Sequence, residues 1–240
     1  MLKARPSVYR LLRSAAGRLR ARFVDVHAHL SHSQEGEDMI LRRIFEGKER
    51  GFYIDVGAHH PRRFSNTHYF YEHGWRGINI EPNPEVQRVF RAERPRDVNL
   101  QMGVSDSAGE LTYYQFDDPA LNTFDGALVK TRLETTPYRL VGEQKIPVDR
   151  LDNILMRHLP RGVEIDFLTI DVEGLDLAVL RSNDWAQYRP KCVLAEALET
   201  SVEDALHGTL AQLLEGQGYV LFAKTFNTLI FCEQTLIRSA

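Results

Sequence analysis

Four apolar runs in this chain carry acids at or near their ends. GFYIDVGAHHP (51–61) holds Asp55 and Gly57, INIEP holds Glu81, IDVEG holds Asp171 and Glu173, and VLAEAL holds Glu196. The first two suggest chemistry at a nucleoside. A residue without a side chain lets a ligand approach the turn after one strand, and an acid ending the next strand can accept both ribose hydroxyls. Asp55 and Glu81 stand twenty-six residues apart, the spacing of a βαβ unit. DVGAHHP lacks the second and third glycines that clear room for a pyrophosphate, which argues against a dinucleotide.

Histidine offers a second kind of chemistry, because seven of the nine lie between His27 and His73. FVDVHAHL (23–30) resembles the first strand of amidohydrolase-type metal enzymes, in which an HxH pair binds a divalent ion. Such a barrel needs further histidines and an aspartate at later strand ends. After His73 only His158 and His207 remain, neither of them in an apolar strand. His59 and His60 occupy the loop beside the nucleoside strand, where His60 either acts as a base or packs the turn. His68 and His73 fall within a helical pattern and read as structural.

These residues need elements to hold them. Apolar runs predict strands at 52–56, 76–80, 98–102, 165–170, 191–196, 218–223 and 227–232, and helical spacing predicts helices near 36–46, 64–73, 84–93, 151–158, 175–181 and 203–216. SHSQEGED reads as an N-terminal cap built on Ser33, Gly36, Glu37 and Asp38, with Gln34 and Glu35 as modest ligand-contact candidates. Only Thr225 and Phe226 separate the last two apolar runs, GYVLFAK and NTLIFCE, so a hairpin joins them and an otherwise parallel sheet closes on an antiparallel strand. From Glu110 to Arg150 the pattern breaks into two short strands flanking a long loop. That insertion carries Tyr113, Tyr114, Phe116, Phe124 and Tyr138, and reads as an acceptor-binding lid or as a surface excursion.

The chain has 240 residues, 43% hydrophobic and 26% charged, enough for one large α/β core. Cys192 and Cys232 both sit in apolar runs, which points to buried free thiols and a reducing cytoplasm. No run approaches the roughly 18 apolar residues of a membrane-spanning helix, and no secretory h-region follows Met1. The net charge of −3 hides an asymmetry, since residues 1–22 carry seven basic side chains and no acid, leaving −10 on the remainder. Within a leader over 1–30, residues 1–22 suit either an amphipathic helix on the anionic inner face of a membrane or a solvated tail. The acidic remainder, without a basic patch interleaved with aromatics, argues against nucleic acid.

Taken in order, SHSQEGEDMIL (31–41), GFYIDVGAHHPRRFSNTHYFYEHGWRGINIEPNP (51–84), GVSD (103–106), VDRLDNIL (148–155) and IDFLTIDVEGLDLAVLRSNDW (165–185) resemble the blocks of FkbM-type S-adenosylmethionine-dependent methyltransferases. The resemblance implies a class I methyltransferase (Rossmann-like) α/β domain over 31–240. Its seven-stranded, mostly parallel sheet has an antiparallel last strand and helices on both faces. It also implies O-methylation, commonly of a sugar hydroxyl in a glycan or glycolipid precursor, or of a polyketide or other natural product.

On that resemblance Asp55, Gly57 and Ala58 form the cofactor turn, Glu81 takes the ribose, Ser105 and Asp106 lie beside adenine, and Asp171 borders the methyl donor. A sugar hydroxyl must lose its proton to a base or be acidified by a metal. Asp171, Glu173 and His60 are the candidate catalytic residues. Asp171, Glu173 and Glu196 could instead serve as oxygen ligands for Mg²⁺. The i, i+2 spacing points Asp171 and Glu173 the same way if the strand continues through them. A degenerate, non-catalytic cofactor-binding module is the remaining alternative, and the intact acids argue against it.

Overall fold

The computed structural model describes residues 27–197 and 201–237. The chain divides into a unit over 1–31 and a unit over 32–240. Of the first unit only 27–31 is described, and its residues 27–30 are exposed. The helix expected over 1–22 lies outside the described residues.

In the second unit the strands are β1 (Phe52–Val56), β2 (Arg76–Ile80), β3 (Val98–Leu100), β4 (Gly103–Val104), β5 (Gly109–Phe116), β6 (Leu140–Asp149), β7 (Phe167–Ile170), β8 (Cys192–Glu196), β9 (Tyr219–Lys224) and β10 (Thr228–Glu233). Seven of them form one sheet in the order β3-β2-β1-β7-β8-β10-β9. Pairing is parallel from β3 to β8, and β10 runs antiparallel to both β8 and β9. The last strand is therefore antiparallel as expected. It slots between β8 and β9, so the sheet ends on β9 rather than closing on β10. This open sheet excludes the barrel that the HAH motif would have required.

All five residues of β1 are buried, which is why it reads as a continuous apolar run. Alternation along it sends Ile54 and Val56 into one core and Tyr53 into another. Helix α1 (Glu37–Ile44) with its C-cap residue Phe45, and α2 (His68–Glu72), supply Leu41, Phe45, Phe70 and Tyr71 to the Tyr53 side. α3 (Pro84–Glu93) begins on an Asn83 cap with Pro84 in its first turn. Cys192 and Cys232 are both buried and free.

The insertion is more ordered than two strands around a loop. β5 and β6 pair antiparallel, β4 pairs parallel with β6, and the connection folds into a 3₁₀ turn (Pro119–Leu121) and helix α4 (Gly126–Thr135). Asp125 caps that helix by accepting the amides of Ala127 and Leu128. Helices α5 (Leu151–His158), α6 (Asp176–Arg181), α7 (Val202–His207) and α8 (Thr209–Gly216) bury Leu151, Val179, Ala205 and Leu214 in the Ile54 core, and α9 (Gln234–Ile237) follows β10. The helix expected over 203–216 is thus two, divided where Gly208 takes an extended conformation (φ −67°, ψ 158°). Among the described residues, no helix is long and apolar enough to cross a membrane.

Candidate active site

β1, β2 and β7 end side by side, and a cavity of about 450 Å³ opens at their C-terminal ends. In an open α/β sheet this is the edge where ligands bind, because the loops diverge there. Asp55, Gly57, Ala58, Glu81, Asp171, Glu173 and Glu196 all line it. The acids expected from sequence are therefore brought together.

Gly57 has a local cause. Its φ is 78°, and a Cβ there would stand 1.8 Å from the Asp171 carbonyl oxygen. The glycine is thus required by the backbone of the neighbouring strand end, whatever ligand approaches it. The amides of Gly57 and Ala58 both donate to the Ile80 carbonyl, which ties the turn after β1 to the end of β2.

Asp55 projects from β1 on the Tyr53 side and accepts a hydrogen bond from the Thr67 hydroxyl at 2.8 Å. Thr67 in turn accepts from the Arg94 guanidinium at 2.7 Å, and Arg94 also donates to Ser65 and to the Pro61 carbonyl. Arg94 is 1% exposed, so one buried cation fixes the whole loop behind the turn after β1. Those bonds also explain why α2 starts at His68 rather than near 64. Burial raises the Asp55 pKa to about 6, against the opposing pull of Thr67 and Arg94.

Glu81 is 4% exposed. One carboxylate oxygen accepts the Asn83 amide at 2.7 Å and the other accepts the His59 amide at 2.9 Å. Each oxygen keeps a second lone pair for a ligand hydroxyl. Desolvation still dominates and lifts its pKa to about 7.

The third group is acidic. β7 ends at Ile170, so Asp171 and Glu173 lie in the turn beyond it and the expected strand alternation does not apply. Glu173 takes a left-handed backbone (φ 54°), followed by Gly174 (φ 99°), and the turn brings carboxylate oxygens of Asp171, Glu173 and Glu196 within 4.8 Å of one another. Asp171 is open to the cavity, yet its surroundings are crowded. Desolvation, then Glu196 and Glu173, push its pKa well up. Glu196 rises to about 8 through desolvation and its acidic neighbours, and buried Asp176, which accepts the Glu196 amide, rises to about 7.

Arg132 lines the cavity although nothing in the sequence pointed to it. It stands on α4 with its side chain 9% exposed, pairs with the Glu173 carboxylate and donates to the Leu121 carbonyl. Thr123 adds a bond from its hydroxyl to the Glu173 carbonyl at 2.9 Å. The insertion therefore docks on the acidic turn, and Asp118 to Phe124 wall the cavity.

Other expected residues fall elsewhere. Ser105 and Asp106 do not line the cavity, because β4 joins the second sheet and carries them away. Met102, Gly103 and Val104 take that place. His60 is likewise outside the lining. Its Nδ1 accepts the amides of Arg62 and Arg63, so it packs the turn, and His59 is the histidine that faces the cavity. Gln34 lines the cavity, whereas Glu35 accepts the Asn227 amide. The cap before α1 rests on Ser33 and Asp38: Ser33 Oγ accepts the Asp38 amide and donates to the Asp38 carboxylate, with left-handed Gly36 at the helix start.

Three described non-glycine residues have left-handed backbones, His59 (φ 51°), Phe64 (φ 56°) and Glu173 (φ 54°), and all three line the cavity. Such positions cost about 1–3 kcal/mol each and persist where surroundings over-determine them.

Residues 55–221 match the model of the methyltransferase FkbM domain. The chain belongs to the FkbM methyltransferase family. Within curated proteins it is 31% identical over 138 residues to the methyltransferase sdnD of Sordaria araneosa, covering 50% of this chain and 52% of that one. The chain thus spans about half the length of the curated relative it matches. Among solved structures it is similar to a 1,6-didemethyltoxoflavin N1-methyltransferase of Burkholderia thailandensis with bound 1,6-didemethyltoxoflavin and S-adenosylhomocysteine (15% identity, TM-score 0.41, 96% of this chain and 90% of that one). It is also similar to an O-methyltransferase of Bacillus cereus in complex with S-adenosylhomocysteine (11% identity, TM-score 0.37, 97% and 94%).

Proposed function

We propose that this chain moves a methyl group from S-adenosylmethionine to a hydroxyl oxygen, with a sugar of a glycan or glycolipid precursor as acceptor. One observation carries the reading: a single cavity holds both a buried acid suited to ribose, Glu81, and a second cluster, Asp171, Glu173 and Glu196, suited to a reacting hydroxyl. When bound, S-adenosylmethionine supplies an electrophilic methyl group. Glu81 accepts the ribose hydroxyls, and the Gly57–Ala58 turn and Asp171 border the methionine part.

A sugar hydroxyl is a weak nucleophile until a base takes its proton, and the best base has a pKa near the working pH. Burial and the neighbouring carboxylates raise the pKa of Asp171, and similar surroundings lift that of Glu196 to about 8. Asp171, next to the donor turn, takes the acceptor's proton, while Glu173 holds the lid through Arg132 and keeps the acceptor hydroxyl oriented. Gln34, Asn66 and Asn227 add amide groups to the lining, which supports a hydroxyl-rich acceptor.

The same three carboxylates are a hard oxygen donor set, which fits Mg²⁺. A dication there would offset their repulsion and acidify a hydroxyl. Turnover that survives EDTA removes Mg²⁺ from the account. For the proton transfer itself, Asp171→Asn should lower kcat by about 10²–10⁴ with little change in acceptor KM. Unchanged turnover would remove Asp171 from the chemistry. Comparative mass spectrometry of surface glycans from cells with and without the gene identifies the acceptor, with a methyl missing from a small natural product rejecting the sugar reading.

A further inference from the structure

Away from the cavity acids, a second cluster of ligating side chains lies between the segment before α1 and the helix α2. His68 and Glu72 are one turn apart on α2, with His68 Nε2 3.4 Å from Glu72 Oε1. His32 packs edge-on against His68, ring centroids 4.3 Å apart and planes at 85°. One ligand atom from each of the three lies within 4.8 Å of the others.

Two features single this cluster out. First, His68 is 6% exposed, yet its Nδ1 is buried with no hydrogen-bond partner. The ring's other nitrogen, Nε2, is the one turned to Glu72, so Nε2 is the atom the ring offers to an ion. Second, the spacing suits a transition ion. Two ligands each 2.0–2.1 Å from a tetrahedral Zn²⁺ stand about 3.3 Å apart, close to the His68–Glu72 separation, and His at i with a ligand at i+4 share one helix face.

The backbone around the cluster is already fixed. The Ser65 amide donates to the His32 carbonyl at 2.9 Å, and the His68 amide donates to Ser65 Oγ at 3.1 Å. Ligands held before the ion arrives lose less entropy on binding. The nearby cations are themselves engaged, Arg62 with Glu93 and Arg94 with Asp97.

The geometry points to a zinc-type divalent site formed by His32, His68 and Glu72, with a solvent-facing fourth position on the side of exposed Glu72. It clips the N-terminal segment to α2. Because Gln34 follows His32 by two residues and lines the cavity, the clip also sets one wall of the active site.

The test uses the full chain, stripped with a chelator, dialysed, and titrated with ZnCl₂ by calorimetry. One ion should bind per chain at roughly micromolar Kd or tighter. Zinc about a hundredfold above that Kd should raise the melting temperature by about 5–10 °C. Glu72→Gln, at an exposed position, and His32→Ala should each weaken binding at least tenfold and abolish the shift, whereas Asp171→Asn should leave both unchanged. Three outcomes overturn the proposal: absence of zinc binding, binding unaffected by Glu72→Gln and His32→Ala, or binding lost in Asp171→Asn alone, which would place the ion at the cavity acids.

Discussion

Replacing Glu81 by Gln tests how the buried carboxylate is used. Its folded pKa is about 7, raised from 4.5 chiefly by burial. Only the ionised form can accept two ribose hydroxyls while also holding the Asn83 and His59 amides. At pH 6 roughly one molecule in eleven carries the charge, and at pH 8 about ten in eleven do. Affinity for S-adenosylhomocysteine should therefore tighten about tenfold over that interval, some 1.4 kcal/mol, with proton release on binding below pH 7. Glu81→Gln removes the charge while keeping the shape. At pH 8 it should lose about 1.5–3 kcal/mol, one to two orders of magnitude, because hydrogen bonds to a charged acceptor are worth that much. Its affinity should also be flat between pH 6 and 8. Calorimetry in buffers of different ionisation heat measures both. A wild-type affinity independent of pH, or a variant that keeps the wild-type slope, would refute the ribose role and direct attention to Asp55 or Glu196.

Two further expectations follow from the geometry and a third from the basic sequence of the leader. Gly57→Ala forces a Cβ against the Asp171 carbonyl in a left-handed conformation, which should cost about 3 kcal/mol and lower the melting temperature by roughly 6–12 °C; an unchanged melting curve would show that the two strand ends separate easily. Arg132→Leu leaves Glu173 without the cation that opposes its desolvation, so the Glu173 pKa should rise further and the acid limb of the kcat/KM profile should move to higher pH; a stationary limb would detach Glu173 from the reaction. A chain lacking residues 1–22 should lose flotation with anionic vesicles, whereas unchanged partitioning rules out a membrane role for the leader.

The sheet was legible because its central strands are buried on both faces and so appear as unbroken apolar runs. The carboxylates were legible for a related reason: an acid at the end of such a run has only the strand's C-terminal edge to occupy. What escaped depends on pairing between distant segments. Gly103 and Val104 look like a continuation of β3, but they pair with Val148 and Asp149, which removes Ser105 and Asp106 from the cavity. α4 has no clean apolar stripe, since Val129 and Arg132 are its buried residues, so nothing local announces that an arginine will reach Glu173. His60 is lost to contacts two and three residues away, a turn arrangement that leaves no mark on composition. Phe64 and Glu173 adopt left-handed backbones that their residue types do not foretell.

The central claim is that the Gly57–Glu81 cavity is built for a methyl donor. Calorimetric titration of the full chain with S-adenosylhomocysteine, and with NAD as the comparison ligand, tests it most directly. The account predicts one saturable site for S-adenosylhomocysteine and no measurable heat with NAD. Binding of NAD alone, or of neither ligand at millimolar concentration, would contradict it.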